Sequence, residues 1–500
     1  PFSVGLAVLD TLNSLTEIGC FLASVDESLV STTYSTIASQ FQRLTEGAWL
    51  LVAYNFGYCV SLPVYGLVSD LYDKKKVLLC SYFLFILGSV GCGASTSLVQ
   101  LTLARVIAGM GGAGMIVLVS IVLTDLMPPE DVAVYRSYEN TIYITGRSLG
   151  APLGGLLIDT IGWRWSFIGQ TPIAITCALS VAYLLPNLRK RTLCRDSTPS
   201  RCRIFDLDFL GIITFSITII LLLFLLHTVG IPEQNWIVVP ALTLPFTLSL
   251  LILIEVYWAE RPLIPIDLMG KPLGAYCLVQ FLLFTGRNAL VSSLVPYFIR
   301  VENTSDLIAS LSFVLTSLGV SAGGLISGYI IKRSHRYKTM TLVALVFSIL
   351  IYLTIYIQWQ DGCSLLETVS IFFSGLTMGI VFSTQFVGMS ASSPPSRLAT
   401  CIGTFCLSQQ LGFIVGPAAG LSLIQRVFGE RLMDQLGLAK EQLVKQILDD
   451  ARFARKLSPA LRDIARESYL HAFRVGPALA LGCNVVALGM VWCLREQRVG

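Results

Sequence analysis

Long stretches without charge recur through this sequence, and they limit its possible folds more than any other feature. Residues 49–69 and 77–95 contain no charged side chain. Each stretch is long enough to cross a bilayer, which takes about 20 mainly apolar residues. Of the 500 residues, 54% are hydrophobic and only 13% are charged, whereas soluble domains are about 25% charged. The sequence therefore predicts an all-α membrane protein that crosses the lipid bilayer many times.

The hydropathy pattern predicts fourteen transmembrane helices. A polar segment rich in Arg, Ser and Pro separates the sixth span from the seventh, and a short linker precedes the ninth. The predicted spans are 14–37, 48–69, 77–95, 99–126, 137–159, 163–185, 209–229, 236–257, 273–299, 307–331, 338–358, 365–389, 398–424 and 470–494. The printed chain begins at Pro1, so we expect further sequence before it.

The positive charges predict the orientation of these spans. Most Lys and Arg residues fall in loops on one side, which includes Lys74–Lys76, Arg136 and the segment 186–208, while the short loops of the other side hold Arg43, Arg164 and Arg300. Because cytoplasmic loops are enriched in Lys and Arg, the first side is expected to be cytoplasmic. With an even number of spans, both termini are then cytoplasmic.

A long segment of mixed charge interrupts the pattern on the non-cytoplasmic side. Leu443, Ile447 and Ala451 are spaced as on one face of a helix, and so are Leu461 and Ile464. We expect one or two amphipathic helices that lie at the interface or cap the mouth on this side. A solvated helical insert without a transport role is the alternative.

Two sequence features occur twice. In span five Gly146, Gly150 and Gly154 lie on one helix face, with Pro152 and Gly155 beside them, and span thirteen repeats the pattern with Gly412, Gly416, Pro417 and Gly420. A face of small residues lets a neighbouring helix approach closely, and an internal proline bends a helix. The charged loop at residues 66–76 is likewise echoed at residues 324–336. Small-residue faces are common in membrane helices, but two repeats in register predict a duplicated architecture.

This register predicts two pseudo-symmetric six-helix bundles with two extra central helices between them. The predicted organisation is an N-terminal six-helix bundle at 1–185, a cytoplasmic linker at 186–208, an extra transmembrane pair at 209–258, a linker at 259–272, and a C-terminal six-helix bundle at 273–500 that carries the lumenal or extracellular insert 425–469.

The loop at 66–76 carries a known transporter motif. Gly66, Asp70, Lys74 and Lys75 match the pattern G-x-x-x-D-x-x-G-[RK]-[RK], with Asp73 at the position usually held by Gly. Through this motif the chain resembles the major facilitator superfamily, in particular its fourteen-span drug:proton antiporter branch. Leu101, Arg105, Gly109 and Gly111 are similar to the fourth-helix motif, 146–155 to the antiporter motif, 25–32 to the first-helix signature and 162–167 to the start of helix six. Within the branch, the stretch from Gly150 through Arg164 is most similar to fungal vacuolar amino-acid transporters, although drug and metabolite exporters share most of the pattern.

The ionisable side chains singled out within the predicted spans are Asp26, Glu27, Arg105, Glu139, Arg147 and Arg287. Each is costly in a bilayer unless it faces a partner or a cavity. Asp26 matches the acidic residue of the family's first helix, so the resemblance implies that it carries the proton. Arg105 matches the arginine linked to proton coupling and is expected to alternate between Asp26 and substrate or backbone. A static ion pair between the two is the alternative.

Other candidate residues have less certain partners. Arg147 and Arg287 either pair with carboxylates or bind an anionic group of the substrate. Asn140 and Gln170 are candidates for a cavity wall, and the same holds for Tyr54, Asn55, Tyr143, Asn288, Gln409 and Gln410. Asp70 is expected to bind a helix N-terminus or a cation such as Arg136 and to stabilise a closed cytoplasmic gate.

These features predict a proton-coupled antiporter that moves small organic solutes out of the cytosol, either basic amino acids into a vacuole or drugs and secondary metabolites across the plasma membrane. A transporter-like nutrient sensor is a further alternative. No phosphate-binding G-x-x-x-x-G-K-[ST] motif occurs, and the 13 cysteines show no metal-ligand spacing. We therefore expect no enzyme activity, no metal, no cofactor besides the proton gradient, no nucleic-acid partner, and a monomer.

Overall fold

The architecture is built from helices. The structure, a computed structural model, describes residues 17–30, 37, 40–41, 49–127, 129–185, 209–228, 238–258, 262–270, 272–302, 306–334, 336–359, 362–363, 365–436, 441–449 and 458–496, and no strand occurs in these ranges. The first helix, α1, covers residues 17–30. The others are α2 (Trp49–Leu71), α3 (Lys74–Ala94), α4 (Leu98–Leu126), α5 (Pro129–Thr160), α6 (Trp163–Ile168), α7 (Gln170–Leu184), α8 (Phe209–Thr228), α9 (Val238–Tyr257), α10 (Ile266–Met269), α11 (Pro272–Arg300), α12 (Asp306–Ser334), α13 (Lys338–Gln358), α14 (Leu365–Ser392), α15 (Leu398–Leu436), α16 (Glu441–Asp449), α17 (Pro459–Phe473) and α18 (Val475–Cys493).

The helices have the length and surface of membrane spans. Ten helical stretches in the described ranges are long and apolar enough to cross a bilayer. Large apolar side chains such as Phe83 and Leu103 lie exposed on the outside, at 62% and 61% of their accessible area. Lipid is the solvent that accepts such a surface. The predicted polar linker 186–208 lies outside the described residues.

Two predicted span boundaries are wrong. Span five was expected to begin at residue 137, but α5 begins at Pro129, and Arg136 therefore lies inside the helix rather than in a loop. Its charge is neutralised within the helix by Glu139, so no exposed loop is needed. Span thirteen was expected to end at residue 424, but α15 continues to Leu436. Its last turns stay helical because they bury Phe428 and Leu432 at 1% and 0% exposure.

The insert after span thirteen folds as predicted into two helices, α16 and α17. Val444 and Ile447 of α16 pack into one cluster with Phe428 and Leu432 of α15. Arg300 at the end of α11 donates a hydrogen bond to Leu448 O at 3.0 Å. The insert is therefore packed against α11 and α15. Ala451 lies outside the described residues.

Glycine faces set the closest helix contacts. Gly146, Gly150 and Gly154 of α5 face the backbone of α1, and Gly412, Gly416 and Gly420 of α15 face α11 in the same way. Pro152 and Gly155 lie in α5, and Pro417 lies in α15. The two glycine faces therefore make equivalent contacts. One places α5 against α1 and the other places α15 against α11, and in both cases the partner lies four predicted spans earlier.

The helices α2 and α5 join a first group of helices, α1–α7, to a second group, α11–α18. α2 runs along α15, and α5 runs along α12. The α5–α12 seam holds hydrogen bonds from Ser137 Oγ to Gly324 O at 2.6 Å and between the hydroxyls of Tyr138 and Tyr329 at 2.7 Å. The α8–α9 pair lies outside this arrangement, with α8 against α2, where the rings of Trp49 and Phe224 stack 5.7 Å apart.

Candidate functional site

A buried ion pair joins α1 to α4. Arg105 Nη1 donates to Asp26 Oδ2 at 2.7 Å, and the two side chains are 1% and 0% exposed. Gln170 Nε2 on α7 donates to Asp26 Oδ1 at 3.3 Å. The guanidinium of Arg105 also lies 4.3 Å from the centre of the Tyr54 ring. The structure therefore brings together the predicted Asp26, Arg105 and Gln170.

Small residues on α2 and α4 make this pairing possible. A Cβ on Gly57 would meet the backbone of Val106, and a Cβ on Gly109 would meet the backbone of Tyr54. The absence of both side chains lets α2 and α4 touch through their backbones. This close approach places the Tyr54 ring beside Arg105.

A second carboxylate from α1 pairs with α5. Arg147 Nη1 lies 2.9 Å from Glu27 Oε1, and it also donates to the Tyr143 hydroxyl at 2.8 Å. The guanidinium of Arg147 lies 4.1 Å from the ring centre of Phe413 on α15. Glu27 therefore points from α1 to another helix, α5. The Arg147 side chain remains 30% exposed.

A third pair lies within α5. Arg136 Nη1 is 2.6 Å from Glu139 Oε1, and the two side chains are 6% and 2% exposed. Ser120 on α4 donates to Glu139 Oε1 at 2.5 Å and accepts a hydrogen bond from Arg136 Nη1. The ring centre of Phe386 on α14 lies 4.3 Å from the Arg136 guanidinium. Arg136 is a site residue that sequence reasoning assigned to a loop, although its i,i+3 spacing to Glu139 was a usable signal.

The Arg136–Glu139 pair and Tyr143 lie in the wall of a cavity between the two groups of helices. Glu139 Oε2 and Asn140 Nδ2 are buried and have no hydrogen-bond partner among the described residues, so both remain available to a ligand. Asn288, a predicted cavity residue, instead donates to Phe284 O of its own helix at 2.7 Å. The cavity is lined by Tyr58, Leu62, Ile116, Val117, Arg136, Glu139, Asn140, Tyr143, Phe382, Cys406, Gln409 and Gln410.

Asp70 binds the N-terminus of α15. Its Oδ2 accepts hydrogen bonds from Thr400 N at 3.0 Å and from Thr400 Oγ1 at 2.7 Å. The helix N-terminus was one predicted partner. The prediction of Arg136 as the other partner of Asp70 is wrong, because Arg136 pairs with Glu139. Gly66 permits the contact, since its Cβ position lies only 2.9 Å from Ala399 O.

The loop after Asp70 is fixed by helix capping and an ion pair. Asp73 has φ −63° and ψ 117°, and its side chain accepts from Lys75 N, so it caps the start of α3 and needs no left-handed conformation. Lys74 is buried and pairs with Asp125 at the end of α4. On the same end of the bundle, Lys332 of α12 lies 2.6 Å from Asp131 of α5. We call this end the Asp70 face, defined by Asp70, Thr400 and Lys332.

The sequence comparisons decide the family. Residues 17–417 match the Major Facilitator Superfamily. The chain belongs to this superfamily. It is therefore an integral, multi-pass membrane transporter of small molecules, and its relatives are transporters rather than enzymes. In the described ranges no group of His, Cys, Asp and Glu side chains is arranged to hold a metal.

Similar proteins fall into two functional groups. The chain is 28% identical over 457 residues to the vacuolar membrane amino acid uptake transporter fnx2 of Schizosaccharomyces pombe, covering 91% of this chain and 78% of that one. It is 25% identical over 496 residues to the multidrug resistance protein fnx1 of the same yeast, covering 95% and 90%. The vacuolar basic amino acid transporter 2 of Saccharomyces cerevisiae is 26% identical over 416 residues, covering 80% and 86%.

Solved structures share the fold. The human organic anion transporter MFSD10 matches with a TM-score of 0.64 at 15% identity, covering 96% of this chain and 98% of that one. The proton:xylose symporter XylE matches with a TM-score of 0.61 at 13% identity, covering 99% and 97%. The predicted helical fold of the superfamily is thereby confirmed.

Proposed function

We propose that this chain is a proton-coupled antiporter that moves small organic solutes out of the cytosol, with basic amino acids carried into the vacuole as the leading candidates. The observation that carries the proposal is the buried Asp26–Arg105 pair. A carboxylate that lies in a low-dielectric interior, and whose cationic partner has other contacts, suits a group that gains and loses a proton in each cycle. The proton gradient is then the only energy source, without a cofactor.

The proposal includes a membrane arrangement. Fourteen spans form two six-helix bundles, 1–185 and 273–500, with 209–258 as the extra pair and both termini in the cytosol. The equivalent contacts of the two glycine faces support this duplication. The positively charged loops at the Asp70 face support a cytoplasmic location for it. The protein acts as a monomer, because each chain encloses its own cavity.

The transport cycle follows from the contacts. In this structure the Asp70 face is held together by the Asp70–Thr400 hydrogen bonds and by the Asp131–Lys332 pair. Both contacts join the first bundle to the second, so both must break when the bundles rock apart at this face. Protonation of Asp26 releases Arg105, whose guanidinium keeps the Tyr54 ring as a partner. The proton on Asp26 and the solute in the cavity are thereby bound in alternation.

Polar lining of the cavity favours an amino acid as the solute. Arg136, Glu139, Asn140, Gln409 and Gln410 offer partners for both ends of a zwitterion. The second candidate, efflux of lipophilic drugs or metabolites at the plasma membrane, is supported by the rings of Tyr58, Tyr143 and Phe382 in the same wall, because aromatic faces attract organic cations.

Uptake into proteoliposomes with an imposed pH gradient tests the function. We expect lysine, arginine or histidine to accumulate inside acidic vesicles and to stop doing so when the gradient is collapsed by a protonophore. Accumulation of lipophilic cations instead would favour the drug exporter. Binding of amino acids without any gradient-dependent movement would contradict the antiporter and favour a sensor. A fluorescent fusion locates the protein in the vacuolar or plasma membrane.

Asp70→Asn is expected to slow turnover about five- to tenfold with little change in KM. Asparagine still accepts a hydrogen bond from Thr400, but it loses the attraction between a carboxylate and a helix N-terminus, worth about 1–2 kcal/mol in a partly buried site. The loss shifts the balance between the open and closed Asp70 face. Initial rates and KM in proteoliposomes measure the effect.

Asp73→Asn in the same loop is the matched control, because asparagine caps a helix as well as aspartate does. Its turnover should equal that of the wild type. If Asp70→Asn also transports at the wild-type rate, Asp70 serves only to set the topology of the loop.

A further inference from the structure

One buried arginine in the membrane interior has no ionic partner. Arg105, Arg136 and Arg147, which lie within the helices of the first group, are each within 3 Å of a carboxylate oxygen. Arg287 on α11 makes no ion pair and no hydrogen bond with any described residue, and its Nε is buried without a partner. It is nevertheless only 8% exposed. Arg287 is therefore a buried positive charge for which the described residues supply no carboxylate partner.

The surroundings of Arg287 do not relieve this charge. Among the described residues, the ionisable groups that act on it are Tyr352 of α13 and Arg147, and the positive charge of Arg147 repels it. A guanidinium stays protonated in proteins, and an isolated charge in the bilayer interior is costly. No described residue supplies a negative charge that neutralises Arg287, which favours neutralisation by a bound anion.

Arg147 and Tyr143 connect Arg287 to the cavity. Arg147, whose charge acts on Arg287, is 30% exposed and bonds to Tyr143, which lines the cavity between the helix groups. An anion that passes from the cavity beyond Tyr143 thus meets two guanidinium groups whose combined charge exceeds that of Glu27. Arginine is well suited to this role, because its planar donor fork matches a carboxylate in a bidentate geometry.

We propose that Arg287 binds the carboxylate of the transported solute. This rests on the proposed function in one respect, that the solute is an amino acid and so carries a carboxylate. Such a site binds an amino acid more tightly than the amine that remains when the carboxylate is removed. An inorganic anion such as chloride offers the same negative charge, and the test separates it from the solute.

Thermal unfolding of the purified full-length protein in detergent tests the proposal without requiring transport. The probes are lysine, arginine and histidine against cadaverine, agmatine and histamine, which lack only the carboxylate, in chloride and in gluconate buffers. We expect the wild type to be stabilised by at least one of the amino acids and by none of the amines, whichever buffer is used. Arg287→Gln should weaken the binding of that amino acid about 10- to 100-fold, the equivalent of one or two charge-assisted hydrogen bonds. Arg287→Lys, which keeps the charge, should retain part of the affinity.

Arg300→Gln is the control for Arg287→Gln. Arg300→Gln removes an arginine at the end of the same helix, where it contacts Leu448 and Phe428 outside the cavity, and it should keep the preference for amino acid over amine. Without ligand, Arg287→Gln should unfold no earlier than the wild type, because an uncompensated charge is removed. Earlier unfolding of the free variant, equal stabilisation by amino acids and amines, stabilisation by none of the probes, or stabilisation by chloride alone would each overturn the proposal.

Failure of the inference and failure of the proposed function give different results. If the wild type binds lysine through Arg287 but accumulates nothing under a pH gradient, the antiporter proposal fails and the carboxylate site stands. If the wild type accumulates lysine and cadaverine equally, the antiporter stands and the carboxylate site fails.

Discussion

Asp26→Asn is expected to abolish gradient-driven uptake into proteoliposomes while leaving exchange of labelled for unlabelled solute in place. Asparagine has almost the shape of aspartate but does not gain or lose a proton. Its carbonyl oxygen can still accept the hydrogen bond that Arg105 Nη1 makes to Asp26 Oδ2 at 2.7 Å. The cavity should therefore remain intact while its coupling to protons is lost. Uptake with and without a pH gradient, and exchange at a single pH, measure the two effects separately.

A matched control is Asp434→Asn, the same change at an exposed position near the end of α15, which should transport as the wild type does. Gradient-driven accumulation by Asp26→Asn at the wild-type level would show that another group carries the proton. In that case Glu27→Gln and Glu139→Gln are the next variants to measure, since these are the other buried carboxylates that pair with an arginine.

The surroundings of Arg105 explain why Asp26 is the preferred proton carrier. When Asp26 is neutral, the Arg105 guanidinium keeps the rings of Tyr54 and Phe167 at 4.3 Å and 5.6 Å. Such desolvated cation–π contacts are worth about 2 kcal/mol. Asp26 and Arg105 also lie on different helices, so their separation can change between states. Arg136 and Glu139 share one helix, which fixes their distance through the cycle.

Local sequence patterns predicted the helices well where apolar residues were continuous. The starts and ends of α3, α4 and α13 agree with the predicted spans to within a few residues. The start of α5 was missed because Arg136 reads as a loop residue in a hydropathy window. Its partner Glu139 neutralises it when both side chains are buried against α4 and α14. A hydropathy sum treats each residue alone and does not include such ion pairs.

Contacts between helices far apart in the sequence could be predicted only where a family motif links the two residues. The resemblance to the family placed Asp26 and Arg105 in one functional unit, and the structure shows them 2.7 Å apart. Thr400 was not singled out, because nothing in its own sequence marks it as the partner of Asp70 at 330 residues' separation. The role of Asp73 as a helix cap was equally missed, although aspartate before a helix start is a common cap.

Replacing one member of the Arg136–Glu139 pair should destabilise the folded protein more than replacing both members. Arg136→Gln leaves a buried carboxylate without its cation, and Glu139→Gln leaves a buried guanidinium without its anion. Each single change is expected to lower the free energy of unfolding by about 3–5 kcal/mol, whereas replacement of both charges is close to neutral. Chemical unfolding in detergent should therefore rank the double variant above either single variant.

An exposed pair on α15 is the control for this cycle. Arg426 and Glu430 lie 3.0 Å apart and are 78% and 63% exposed, so Arg426→Gln should change the stability by less than about 1 kcal/mol. A double variant at positions 136 and 139 that is less stable than both single variants would contradict the ion-pair argument. A double variant that is stable but does not transport is the expected result. It would mean that the pair is retained for contact with the solute, because a neutral pair of the same size folds equally well.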